Sequence, residues 1–198
     1  RSEIDPDHPF PTAEQDSARP SSMPMPVSRV LVSTAHGGRQ NVMAAAWVCP
    51  LDFDPPKLTI VLDKCAATRR LVEASGEFVV QIPNAAQVDL TQAVGTVSLS
   101  DRPEKMVENG VQFFAIPEQN MPFVEGCSAW LACRLVPELH NQTTYDLFIA
   151  DITAAWADDR VFRDGHWQFE HADPKWRSLH HVAGGHFYAI GDALRAKK

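Results

Sequence analysis

The sequence predicts a mainly β fold with short helices, its antiparallel strands closing into a barrel. Three observations lead there. β-rich runs recur with tight turns between them, helical patterns occur only as interruptions, and the chain contains neither the G-x-G-x-x-G turn nor the G-x-x-x-x-G-K-[ST] loop of nucleotide-binding doubly wound sheets. The 198 residues suffice for one domain with a substantial core, and 44 % hydrophobic against 22 % charged residues is a globular composition.

Residues 1–26 are rich in Pro, Asp and Ser, and Pro20, Pro24 and Pro26 oppose a helix. They read as an extended arm, disordered or laid across a partner subunit, ahead of a folded domain at 27–198. Residues 30–35 form a strand, Gly37-Gly38 marks a turn, and 41–48 is the returning strand. After Pro55-Pro56 the alternation of 57–62 gives a third strand, so these three are expected as one meander. The period then changes: 68–74 is a helix with Thr68 suited to capping it and Gly76 as its stop. Residues 77–82 resume a strand that ends at Pro83. Residues 85–110 hold two short helices around a loop at 98–103, the second stopped by Gly110. Longer strands are expected at 128–136 and 145–156. A C-terminal segment at 180–194 follows, with Gly184-Gly185 and the apolar Phe187, Tyr188 and Ile190.

A net charge of -7 leaves no basic footprint, so nucleic acid is set aside as a partner. The longest apolar run, 42–49, is far short of the ~20 residues needed to cross a bilayer, and the N-terminus lacks the basic-then-apolar order of a secretory signal. No membrane association is expected, and the cytoplasm is the expected compartment. Cys49, Cys65, Cys127 and Cys133 form no C-x-x-C pair, which points to reduced, mostly buried thiols.

Two segments concentrate the chemistry. Asn41-Val42-Met43-Ala44-Ala45-Ala46-Trp47 puts three alanines in a strand, where alanine is disfavoured. Small side chains suit a flat guest lying close to the backbone, and strand amides and carbonyls can bond the pyrimidine edge of an isoalloxazine. They equally suit a packed helix or a partner subunit. Lys64-Cys65-Ala66-Ala67-Thr68-Arg69-Arg70 brings together a hydroxyl, free helix N-terminal amides and guanidinium charge. That is a phosphate cradle, or else an ordinary cap followed by two solvated arginines. The pairing of the two segments favours the flavin reading.

These segments, with Pro55-Pro56, Asp63, Ser75-Gly76-Glu77-Phe78-Val79-Val80 and Pro83, stand in an order that resembles a known family. The match continues through Glu125-Gly126-Cys127, the end of a strand near His140, and Gly184-Gly185-His186-Phe187-Tyr188. The sequence resembles the flavin-reductase-like, FMN-binding split-barrel family that includes flavoredoxin. The resemblance implies a split antiparallel β-barrel and a homodimer, with FMN rather than FAD near the subunit interface. It implies that Asn41, Val42, Met43, Ala44, Ala45 and Trp47 lie along the isoalloxazine. Asp63, Lys64, Cys65, Ala66, Thr68 and Arg69 would wrap the ribityl chain and phosphate, and Ser98, Ser100 or Arg102 would complete the phosphate site.

The implied chemistry is hydride transfer from NADH or NADPH to flavin, then electrons onward to a second flavin, a redox protein or a small acceptor. The alternative is a flavoredoxin-like electron carrier with no nicotinamide activity of its own. No catalytic side chain is named, because the flavin carries the reaction. Two departures stand out. Cys65-Ala66-Ala67 replaces a hydroxyl or aromatic residue in the loop, leaving backbone N–H groups to compensate, and Glu104-Lys105-Met106 replaces an acid-Lys-Phe triplet.

His180, His181 and His186 lack a metal-ligand spacing, and no metal is assigned. His186 and Tyr188 are candidates for a nicotinamide or flavin edge, with surface or packing roles as the alternative. Cys65, beside a helix N-terminus, is a reactive thiol or a spectator. Trp47 and Trp130 read as core or interface aromatics, with Trp47 stacking near the flavin as the sharper alternative.

Overall fold

The β-branched run after Val30 and the two glycines behind it set the first hairpin. Strands β2 (Val30–His36) and β3 (Arg39–Ala45) pair antiparallel from Val30↔Ala45 to His36↔Arg39, and Gly37 and Gly38 take the positive φ that the two-residue turn needs. The computed structural model describes residues 27–197, so the arm expected at 1–26 lies outside the described residues. A short β1 (Val27–Ser28) precedes the hairpin.

The expected return strand at 41–48 is two strands. The chain turns at Ala46-Trp47 and continues as β4 (Val48–Phe53), which pairs with β5 (Pro56–Val61) and not with β3. The expected three-strand meander is therefore corrected to two hairpins. Residues Cys49 to Phe53 are all exposed, so β4 has no buried face to show as alternation.

The two hairpins occupy opposite edges of a seven-stranded antiparallel sheet of order β3-β2-β6-β9-β10-β5-β4, in which β6 is Glu77–Ile82, β9 Ala129–Val136 and β10 Leu147–Ala157. Its edge strands are consecutive in the chain. The sheet curls until they meet at the Ala46-Trp47 bend, where Val61 N–H donates to Trp47 O at 3.0 Å. Closure runs through the covalent chain instead of a β3–β4 ladder, and the barrel is split there.

The barrel interior is filled from most of its strands by Val30, Val32, Ala45, Leu58, Ile60, Phe78, Val80, Cys133, Phe148 and Ala150. Helix α1 (Ala67–Ser75) adds Val72 to that core and ends at Gly76, whose φ of 72° is the left-handed stop expected there. Strands β2 and β6 bury both faces. On the outer side Leu31, Val42, Ala44 and Val79 pack under α2 (Val88–Thr96) and the short β7 (Phe113–Phe114) and β8 (Phe123–Val124). Helix α3 (Lys105–Glu108) follows α2. A further helix, α4 (Leu139–Tyr145), fills the stretch between the two long strands, where no element was expected, and takes Tyr145 from the expected start of β10; Asp146 in the left-handed region ends it.

The C-terminal part holds β11 (Phe162–Arg163), β12 (His166–Trp167), β13 (Leu179–His181) and β14 (Phe187–Ala189), with β13 lying between β1 and β14. Cys127 and Cys133 are buried, and burial pushes both thiols up to about 12; Cys49 and Cys65 are exposed, contrary to expectation. No helix among the described residues is long and apolar enough to cross a membrane.

Candidate functional site

Among the described residues strand β3 pairs on one side alone, with β2. Alternate residues along it therefore direct backbone N–H and C=O groups off the sheet. Three adjoining cavities follow this edge. The middle one, about 260 Å³, is lined by Asn41 and Met43, by Cys65, Ala66, Ala67 and Thr68 at the start of α1, and by residues 94–99 and Lys105. The second, about 220 Å³, shares Met43 and continues along Ala44, Ala45, Ala46 and Trp47 to Val61, Asp63 and Arg29. The third, about 400 Å³, lies at the other end, where His36, Arg39 and Arg70 meet the Ala67 and Leu99 of the middle cavity. Arg39, Asn41 and Met43 share one face of β3, so the cavities succeed one another at roughly 7 Å per step.

In the middle cavity Asn41 is buried and its Nδ2 donates to Thr68 Oγ1 at 2.8 Å, tying β3 to α1. Thr68 is not the cap. That position is Ala66, which makes no side-chain bond, so the first amides of α1 are left for other acceptors. The Thr68 hydroxyl accepts from Asn41 and keeps its own hydrogen to donate. Asn41 Oδ1 is buried with no partner among the described residues. Nearby, Cys65 N–H donates to Asp63 Oδ1 at 2.7 Å. That bond shapes the loop and is the first reason the Asp63 carboxyl sits below its usual range.

Two cations at the site had no role assigned from the sequence. Lys105, 1 % exposed, sends Nζ to Val94 O at 3.1 Å and Val97 O at 2.7 Å, at the C-terminal end of α2 where the helix dipole favours positive charge. Burial lowers its pKa to about 8. Its triplet with Glu104 and Met106 was legible, but its burial is decided by α3 docking against the end of α2. Arg29 lines the second cavity and donates to His181 Nδ1 at 3.1 Å, while its Nε is buried without a partner among the described residues. Burial, and then the Arg29 charge, lower the His181 pKa, so that ring is the neutral acceptor.

Several expected site residues are placed elsewhere. Arg69 turns inward: Nε meets Glu73 at 2.9 Å, Nη1 meets Leu62 O and the Asp146 carboxylate, and Nη2 meets Gln142 O at 2.8 Å. Its charge fastens α1 to α4 and lines none of the three cavities, so its expected phosphate role is corrected to a structural one. Val42 is fully buried under α2, leaving only its backbone on the edge. Ala44 is small because α2 sits on it: a Cβ added to Gly95 would lie 2.9 Å from the Ala44 Cβ. The packed-helix alternative thus accounts for Ala44, and Ala45 faces the barrel interior while also lining the second cavity.

Arg102 is exposed and pairs with Glu108 at 3.2 Å, and Lys64 is exposed; both lie outside the three cavities. Ser98 lines the middle cavity, whereas Ser100 lines the third and accepts from Arg70 Nη2 at 2.7 Å. Trp47 stands 67 % exposed at the rim of the second cavity and is no core residue, while Trp130 is buried and donates to Val124 O at 2.9 Å. His186 and Tyr188 are exposed around the β13–β14 hairpin and line none of these cavities. Among the described residues no three His, Cys, Asp or Glu side chains gather as a metal site.

Comparison with known proteins agrees with this architecture. Residues 21–174 match the family model of the flavin reductase like domain. The uncharacterized protein YddH of Escherichia coli (strain K12) is 42% identical over 159 residues, covering 80% of this chain and 82% of that protein. The crystal structure of an FMN-binding domain of a flavin reductases-like enzyme from Shewanella baltica OS155 is 55% identical, with a TM-score of 0.84 over 86% of this chain and 89% of that one. Flavoredoxin of Desulfovibrio vulgaris (Miyazaki F) shares the fold at 24% identity, with a TM-score of 0.76 over 93% and 96% of the two chains. A split antiparallel barrel with its groove along an open edge strand, matched over most of its length, makes this chain a member of the flavin reductase like domain family.

Proposed function

We propose that this chain binds FMN along β3 and acts as an oxidoreductase of the flavin reductase type, taking hydride from NADH or NADPH and passing electrons to a second flavin, a redox protein or a small acceptor. The observation that carries the reading is Asn41 Oδ1, a buried acceptor with no donor among the described residues, at the centre of the groove. Leaving such a group unpaired costs about 1–3 kcal/mol, and a ribityl hydroxyl supplies the missing donor. The 55% identical relative, described as FMN-binding, supports the choice of guest.

The residues present fit FMN at both ends. The Thr68 hydroxyl, the uncapped amides of α1 and the Lys105 ammonium would hold the phosphate. Asn41 would orient the ribityl chain, and the backbone from Met43 to Ala46 would meet the polar edge of the ring. Bound FMN supplies reversible two-electron chemistry that side chains lack. The chain contributes position and charge. Arg29 sets a guanidinium beside the ring slot, where positive charge favours accepting electrons, and neutral His181 holds that guanidinium in place.

The protein works as a homodimer in this reading. Trp47 at the rim of the ring slot, and Leu51 and Phe53 further along β4, are 67 %, 51 % and 95 % exposed, apolar surface that a second copy would cover. Light scattering giving a monomer at micromolar concentration would remove the dimer.

Absorbance of the purified chain, acid release of its pigment, and anaerobic rapid mixing with each nicotinamide test the proposal. A yellow protein that releases FMN and bleaches with NADH or NADPH is expected. A colourless protein that ignores added FMN overturns the cofactor. A loaded protein bleached by neither nicotinamide, yet reduced by a protein donor, is a flavoredoxin-like carrier instead.

A further inference from the structure

The third cavity lies beyond the stretch of β3 assigned to FMN. At about 400 Å³ it is the largest of the three, within the range of small-molecule sites. His36, Arg39, Arg70 and Ser100 supply its polar wall, and among the described residues no carboxylate lines it, although the chain carries a net charge of -7. Among the described residues neither Arg39 nor Arg70 pairs with an acid. Arg70 is instead aimed by its bond to Ser100 Oγ at 2.7 Å. Two arginines on one cavity wall, with no counter-charge among the described residues, give it a positive potential that an anion would neutralise. Leu71 and Leu99 give the same cavity an apolar wall.

This cavity meets the phosphate end of the flavin groove at Ala67 and Leu99. Arg39 and Asn41 are two residues apart on one strand face, roughly 7 Å. A ligand anchored here thus has its other end within reach of the flavin groove. We propose that the cavity is a subsite for a phosphorylated adenosine, with Arg39 and Arg70 on the phosphate and the apolar wall against the purine; a guanidinium suits both a phosphate and an aromatic face. The inference rests on the FMN reading for the neighbouring groove. The adenosine could belong to a reduced nicotinamide nucleotide carrying a 2′-phosphate or to the AMP half of FAD, and the two arms below separate these sources.

In the first arm, calorimetry titrates adenosine 2′,5′-bisphosphate into FMN-loaded and flavin-free full-length protein. In the second, quenching of flavin fluorescence compares FAD with FMN on the flavin-free protein. Both arms are repeated with Arg39→Gln, Arg70→Gln and the double variant. Binding of the bisphosphate to FMN-loaded protein, weakened at least about tenfold by each substitution while FMN affinity holds, assigns the nicotinamide nucleotide. An FAD affinity above that for FMN, erased in the double variant, assigns FAD.

No bisphosphate binding together with no FAD advantage overturns the proposal, as does either signal surviving intact in the double variant. Failure of the unmodified protein to bind FMN sinks the neighbouring groove assignment instead. The bisphosphate titration on flavin-free protein reads the subsite independently of that outcome.

Discussion

Lys105 should make flavin affinity fall in mild alkali. The residue is 1 % exposed, and burial lowers its pKa from 10.5 to about 8. That difference of about 2.5 corresponds to about 3–4 kcal/mol for keeping the buried charge at neutral pH without a counter-ion. A phosphate beside it offsets that penalty and raises the pKa again, so above about pH 8 binding FMN must take up a proton. With a flavin-free pKa of about 8, the charged fraction falls from about nine-tenths at pH 7 to about one-tenth at pH 9, and the FMN dissociation constant rises about tenfold. Stability of the flavin-free protein runs the other way. The folded pKa lies below the unfolded value, so the unfolded chain binds more protons between about pH 8 and 10.5, and stability rises across that window.

Fluorescence titrations of FMN at about pH 7, 8 and 9 read the affinity, and denaturant unfolding on the same samples reads the stability. Lys105→Met keeps the stem length and removes the charge. It should bind FMN about 10–100-fold more weakly at neutral pH and show no further loss toward pH 9. A wild-type affinity that stays level from about pH 7 to 9, or a Lys105→Met variant with the wild-type slope, refutes the reasoning.

Three further outcomes are expected. Thr68→Ala should weaken FMN by about 1.5–3 kcal/mol, since the phosphate bond and the anchor of Asn41 go together; unchanged affinity in the same titration removes Thr68 from the site. Arg69→Met should lower unfolding free energy by about 2–3 kcal/mol, less than a fully buried pair because Asp146 and Glu73 keep contact with water, and should leave FMN affinity within about twofold. Lost affinity with intact stability would return Arg69 to the phosphate site. Gly95→Ala should cost about 1–3 kcal/mol and loosen the 94–99 wall, because its Cβ meets Ala44 at 2.9 Å; adding Ala44→Gly should restore flavin binding. A Gly95→Ala protein as stable and as avid as wild type would show that α2 does not press on β3.

The parts of the fold legible in the sequence are those whose cause is local. Gly37-Gly38 and Gly76 mark positions needing positive φ, and residues 77–82 read directly as the strand that forms there. Strand β4 and helix α4 were not legible. The first has no buried face of its own. The second, short and mostly exposed, carries no apolar stripe and is held through Gln142 O by the Arg69 guanidinium across the fold.

The candidate site divides the same way. Asn41, Met43, Ala66 and Thr68 were identifiable because two nearby segments supply them, and the structure lines one cavity with all four. Arg69 reads as an available charge in sequence, yet α4 delivers Asp146 and a carbonyl that occupy it. Nothing local in the sequence gives Lys105 or Arg29 a place at the groove; that comes only when α3 docks on α2 and β13 pairs with β1. By itself the sequence determined the strands that bury a face, the glycine turns and the small-residue edge, which depend on backbone preference and near neighbours. Only the tertiary structure decided which cations face the groove, because a charge is committed by whichever acceptor long-range packing brings to it.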